Sequence, residues 1–106
     1  MSRSRPLLPD KTAKSIPIFY SQENVADPIA HCKFFHPLSD WSWFVVEYDP
    51  VERMCFGLVH GFDEELGYFS LNELEGLKVH GFEVERDEHW SPRPLSQCRK
   101  ERNETK

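Results

Sequence analysis

The chain has 106 residues, 39% of them apolar and 29% charged, with a formal net charge of −5, which leaves room for one domain around a single modest core. Such a composition excludes a collagen-like or wholly disordered chain. It also excludes a helical membrane span: the longest apolar run, Trp43-Phe44-Val45-Val46, stops at Glu47, far short of the roughly 20 apolar residues a bilayer requires.

The net charge conceals a division along the chain. Residues 1–14 hold Arg3, Arg5, Lys11 and Lys14 against Asp10, and residues 93–106 hold five basic groups against Glu101 and Glu104, so each end carries +3. The middle, 15–92, sets four basic residues against fifteen carboxylates, a net of −11. An acidic body repels phosphate, so duplex nucleic acid is not an expected partner of the folded part. Such a surface serves solubility by default, and it also suits recognition of a basic patch or imitation of nucleic acid. Met1 to Pro9 lacks the apolar segment of a secretion signal, and the expected location is cytoplasmic. Cys32, Cys55 and Cys98 are odd in number and widely spaced; they read as reduced thiols rather than a disulfide framework or zinc site.

In chain order, residues 1–15, with Pro6 and Pro9, read as a flexible basic arm. Ile16, Ile18 and Tyr20 alternate around Pro17, which suits an edge strand or an extended arm laid on the core. Ser21 to Asp27 reads as an irregular loop. Ala30 to Phe35 alternates as a half-buried strand, with Ala30, Cys32 and Phe34 facing one way. Trp41 to Tyr48 gives the strongest strand signal and is expected at the sheet centre. The Asp49-Pro50 turn returns the chain as a second strand, Arg53 to His60, with Met54, Phe56 and Leu58 on one face. A polar loop, Gly61 to Glu65, precedes a short run at Tyr68-Phe69. Ser70-Leu71-Asn72-Glu73 is a capping box that starts a short helix with Leu71, Leu74 and Leu77 on its apolar stripe. Alternation resumes from Phe82 to Trp90, and residues 97–106 read as a disordered basic tail. The predicted fold is α+β: one domain over 16–96, an antiparallel sheet of four to five strands with one or two short helices.

The run Glu65 to Leu74, followed by Val84-Glu85-Arg86-Asp87, resembles a family of small bacterial proteins known only as a domain of unknown function. The likeness extends through Asp27-Pro28, Lys33-Phe34-Phe35, Trp41 to Pro50, Phe56-Gly57-Leu58 and Pro94-Leu95-Ser96, covering about residues 16–96. The resemblance implies a protein often encoded on mobile elements, and it transfers no catalytic residues. Where such proteins usually carry a Gly-Pro-Leu-Gly-Leu-Pro-like connection after the helix, Val79-His80-Gly81-Phe82-Glu83 is shorter and lacks both prolines.

Five histidines invite a metal site, yet none shows the paired spacing that sets two ligands on one helix. A site assembled from His60, Asp63 and His89 or Asp87 would make a small metal-assisted hydrolase. Glu47, Asp49, Glu85 and Asp87 flank strands and are candidates for acid and base work. No nucleophile elbow, P-loop or dinucleotide fingerprint occurs, and no cofactor is implied. The more informative feature is aromatic: Trp41 and Trp43 are expected to share a strand face with Glu47, with Phe35, Tyr68 and Trp90 nearby, while Arg86 is the expected ion-pair partner of one strand-end carboxylate such as Asp87. Rings beside carboxylates suit a contact surface; the same rings suit a core equally well. The first reading is therefore a non-enzymatic interaction module that binds another protein, with a basic segment as the natural partner, through Trp41, Trp43, Glu47, Tyr68, Arg86 and Asp87. An acidic nucleic-acid mimic acting on a defence or processing enzyme, and the metal-assisted hydrolase, are the alternatives.

Overall fold

The structure, a computed structural model, describes residues 6–101. In chain order its elements are α1 (Asp10–Lys14), β1 (Ile29–Ala30), β2 (Cys32–Phe35), β3 (Ser42–Asp49), β4 (Met54–His60), β5 (Glu64–Ser70), α2 (Leu71–Gly76), β6 (Lys78–Val79), β7 (Phe82–Glu83), β8 (Glu85–Arg86), β9 (Arg93–Pro94) and α3 (Leu95–Lys100). Five strands pair in the order β5-β4-β3-β2-β8, antiparallel throughout, so the fold is α+β. Two short ladders, β1 with β9 and β6 with β7, stand beside this sheet. As its composition predicts, β3 is the central strand, buried from Ser42 to Tyr48. Among the described residues no helix is long and apolar enough to cross a membrane.

One irregularity decides which side chains share a face. Val45 pairs with Gly57 and Glu47 with Phe56, leaving Val46 as an extra residue, a β-bulge. Gly57 makes the bulge possible, because a Cβ there would lie 1.8 Å from the Phe44 carbonyl oxygen. A bulge reverses the alternation beyond it. Trp43, Val45 and then Tyr48 join one core cluster with Cys32, Phe34 and Cys55, whereas Phe44 and Val46 join the other with Leu58. Glu47, opposite Phe56, is carried to that second face.

The two faces are covered unequally. Over the first lie α2, through Leu71 and Leu74, and the N-terminal segment, through Leu7, Leu8 and Ile16. Ser70 caps α2 as its sequence predicts, its hydroxyl accepting from the Glu73 amide at 3.1 Å. The second face is covered by α3, through Leu95 and Cys98, with Ala30 and Trp90. Glu101, at the end of α3, ties that cover down: its carboxylate accepts from Trp90 Nε1 at 3.0 Å, Arg93 at 2.8 Å and Lys33 at 3.5 Å. Six residues of helix do not reach across the sheet, and Leu66 and Tyr68 of β5 stay 50% and 55% exposed.

Several expectations need correction. Residues 6–15 are not a loose arm, since α1 forms there and Leu7 and Leu8 are buried in the first-face core. Residues 97–101 are not a tail: Cys98 is fully buried within α3 and Glu101 is buried. Residues 1–5 and 102–106 lie outside the described residues. Helices number three rather than one or two among the described residues, because these terminal segments supply two of them. The strand expected from Ala30 to Phe35 breaks at His31, which places Ala30 on the second face and Cys32 and Phe34 on the first. The loop expected at Gly61 to Glu65 is shorter, for β5 begins at Glu64. From Ile16 to Tyr20 neither a strand nor a continuous extended arm forms: a bend at Ile16 and a turn at Phe19-Tyr20 flank Pro17, whose carbonyl accepts from the Tyr48 amide at 2.9 Å.

Candidate functional site

The six residues expected on one contact surface are dispersed. Trp43 is 5% exposed and belongs to the first-face core. Trp41 packs partly buried against it, ring centroids 5.9 Å apart, with Phe62 edge-on at 5.3 Å. The expectation of solvent-facing indoles on a face shared with Glu47 is therefore corrected: apolar residues of α2 and the N-terminal segment cover the rings, and the bulge sends Glu47 to the opposite side. Tyr68 is exposed on the second face, and Arg86 and Asp87 lie at the far edge of the sheet, on and just after β8.

Glu47 is only 4% exposed, and a carboxylate so placed needs donors. It finds them where the segment expected to be an edge strand or arm passes into the loop expected to be irregular: Oε1 accepts from the Tyr20 amide at 3.0 Å and Oε2 from the Gln22 amide at 2.8 Å. Tyr20 adopts φ of 69°, a left-handed conformation unfavourable for an aromatic residue, and the Glu47 bond offsets that strain. Further along, Asp27 accepts from the amide and hydroxyl of Ser96 at 2.9 Å and 2.7 Å. These bonds hold the Asp27 carboxyl below the usual carboxylate range and join the loop to the start of α3.

Between this loop, α3 and the open end of the sheet runs a groove of about 640 Å³. Its floor is a cross-strand row in which Glu47 faces Phe56 and Phe56 faces Tyr68. Leu66 continues the floor, and Tyr20 and Val25 form the rim. Phe56 and Tyr68 rings lie 5.0 Å apart and Phe19 backs Tyr68 at 5.4 Å. Among the described residues, the carboxylates of Glu23, Asp27 and Glu47 line the groove against one cation, Arg99, whose guanidinium is engaged by Glu64. Desolvation beside the rings, helped by Tyr20 and the negative charges of Glu47 and Glu23, holds the Tyr68 phenol above its ordinary pKa. Sequence reasoning missed Tyr20, Glu23, Phe56 and Leu66. An acid in the middle of an otherwise apolar strand was the available signal, for Glu47 required buried donors from elsewhere.

A second groove, of about 620 Å³, lies along β8 and is lined by Glu83, Glu85, Arg86, Asp87, Glu88 and His89. Asp87 is used locally, accepting from the His89 amide at 3.1 Å while its own amide donates to Lys33. The paired carboxylates considered for acid and base work are apart: Glu47 is latched on β3, Asp49 caps the turn by accepting from the Val51 amide at 3.0 Å, and Glu85 and Asp87 lie beyond β2. Among the described residues no group of three His, Cys, Asp or Glu is placed to hold a metal ion, and the imagined grouping of His60 with Asp63 and His89 or Asp87 does not form one. His60 instead is fully buried and donates from Nε2 to Glu64 at 3.1 Å. Burial pushes the thiols of Cys32 and Cys98 up to about 12 and that of Cys55 higher, which disfavours the nucleophilic thiolate form.

No curated protein and no solved structure matches the chain. A family model described as "Protein of unknown function (DUF2958)" matches residues 7–105, which takes in the N-terminal segment and α3 along with the sheet. On that match, the chain belongs to the DUF2958 family.

Proposed function

We propose that the chain is a protein-interaction module that holds an extended, basic segment of another protein in the second-face groove and performs no chemistry of its own. The observation that carries this reading is the lining of that groove, where half-exposed rings and aliphatic side chains lie among three carboxylates and one already engaged cation. Rings contribute contact area at little entropic cost, and fixed negative charge selects and steers a basic partner. Asp27 and Glu47 are held by backbone amides, which suits stationary charge rather than proton transfer. Edge strand β5 carries Glu64 and Glu65, an arrangement that opposes pairing with a second copy of itself. Three buried thiols, none in a disulfide, support a reducing compartment such as the bacterial cytoplasm.

Selection from a display library of short random peptides tests the proposal. Enriched sequences are expected to be net positive and to lose binding to Tyr68→Asp, a change at an exposed position. Enrichment of acidic or neutral sequences, absence of any enrichment, or binding undiminished by Tyr68→Asp would overturn it.

A further inference from the structure

The groove is not uniform along its length, and one end carries more information than the rest. There the row Glu47–Phe56–Tyr68 crosses three adjacent strands. Above it stands Tyr20, fixed by the hydrogen bond its backbone amide donates to the Glu47 carboxylate, with the Phe19 ring edge-on to Tyr20 at 5.8 Å. Glu23 lines the same groove, close enough for its charge to act on Tyr68. The rings are braced against one another, so a ligand would meet a preformed surface and lose little freedom of the protein's side chains on binding.

Aromatic faces carry negative potential, and two carboxylates beside them deepen it, so the surface attracts a cation and repels an anion. Between the two biological side-chain cations the shape discriminates. A guanidinium is planar, stacks on a ring, and presents a fork of donors to a carboxylate; an ammonium is a strongly hydrated point charge that gains less from a ring it must be desolvated to reach. Among the described residues each kind of cation makes this pairing, and the guanidinium makes it more closely: the Lys33 ammonium lies 5.6 Å from the Phe44 ring centroid and 3.5 Å from Glu101. Arg93 lies over the Trp90 ring at 4.4 Å while donating to Glu101 at 2.8 Å. At the groove end the same pairing of rings and carboxylate recurs, and the cation lining the groove, Arg99, is engaged by Glu64.

We infer that the Tyr20, Phe56 and Tyr68 end of the groove is a subsite for one arginine side chain of the docked segment, its guanidinium against the rings and hydrogen-bonded to Glu23, with Glu47 supplying a second, buried negative charge. The inference rests on the docking reading and names the residue type that anchors it.

Amide-resolved NMR titration with N-acetyl-arginine methylamide, and with its citrulline and lysine counterparts, tests it. Arginine is expected to give saturable shifts at the amides of Tyr20, Gln22 and Tyr68, with neutral, near-isosteric citrulline weaker by about fivefold or more and lysine in between. Tyr68→Leu is expected to abolish the shifts, Tyr68→Phe to preserve them, and Glu23→Gln to weaken binding severalfold, all at exposed positions. Citrulline or lysine binding as well as arginine, absence of shifts, or indifference to both Tyr68→Leu and Glu23→Gln would overturn the assignment. The two readings separate cleanly. Displayed peptides that bind the groove while the arginine amide does not would remove the subsite and leave docking intact; an arginine amide that saturates while no peptide is enriched would keep the subsite and remove the docked protein.

Discussion

The two faces of the central sheet are made by the same strands and differ in how far their cover extends. On the first face, α2 and the N-terminal segment enclose Trp43, Val45, Tyr48 and Cys55, and the large rings there serve the core. On the second, α3 stops short, and beyond it the Phe56, Leu66 and Tyr68 row meets solvent beside carboxylates. An aromatic strand is thus core or contact surface according to what packs over it. That property belongs to the terminal segments and not to the strand.

The sharpest way to break this contrast is at the bulge. Gly57→Ala places a Cβ within 1.8 Å of the Phe44 carbonyl oxygen, and relief requires β3 to shift and the bulge to be lost, returning Glu47 toward the first face. The expected loss is about 3 kcal/mol, read as a lower urea midpoint, together with disappearance of peptide binding. Nearly as large is the effect of Glu101→Ala, which removes the acceptor shared by Lys33, Trp90 and Arg93 and leaves a buried lysine without its carboxylate. About 3 kcal/mol is expected from breaking such a buried pair, with exposure of Cys98 to thiol reagents in milder denaturant.

A gentler change sharpens the contrast. In Glu47→Gln the amide oxygen replaces a charged acceptor with a neutral one and its nitrogen cannot accept at all, so the bonds to Tyr20 and Gln22 weaken. We expect about 1–2 kcal/mol lost, faster hydrogen exchange at those two amides, and no change at the first face. The smallest effect is read from the wild type. All three thiols have raised pKa values, so the folded state holds more protons than the unfolded state above the ordinary thiol value of 9.0. Stability from this source is complete below that pH and declines as pH rises through 9.0 toward about 12. At pH 8 an excess of thiol reagent should modify Cys98, under the short α3, ahead of Cys32 and Cys55, because local opening of a six-residue helix precedes global unfolding. Simultaneous modification of all three would show that the faces open together.

The fold was largely legible in the sequence. Rings and β-branched residues marked β3, Asp49-Pro50 marked the hairpin turn, and Ser70 with Glu73 marked the start of α2, each a local signal with a local cause. The site was not. Its assembly depends on a bulge whose only trace was a glycine that comes to lie across from Val45, and on a loop whose polar residues gave no sign that Tyr20 and Gln22 would turn their amides to Glu47. The burial of Leu7, Leu8 and Cys98 was hidden for a related reason: short apolar groups among charged neighbours show no periodicity, and only the tertiary fold reveals what they cover.

The central claim is that docking occurs on the partly covered face. Amide shift mapping with one library-selected basic peptide tests it most directly, because the second-face groove and the groove along β8 have separate lining residues as reporters. The account predicts saturable shifts at Tyr20, Gln22, Phe56, Leu66, Tyr68 and Arg99, with Glu85, Arg86, Asp87 and His89 unmoved. Shifts confined to the β8 groove, with the Tyr68 row silent, would contradict it.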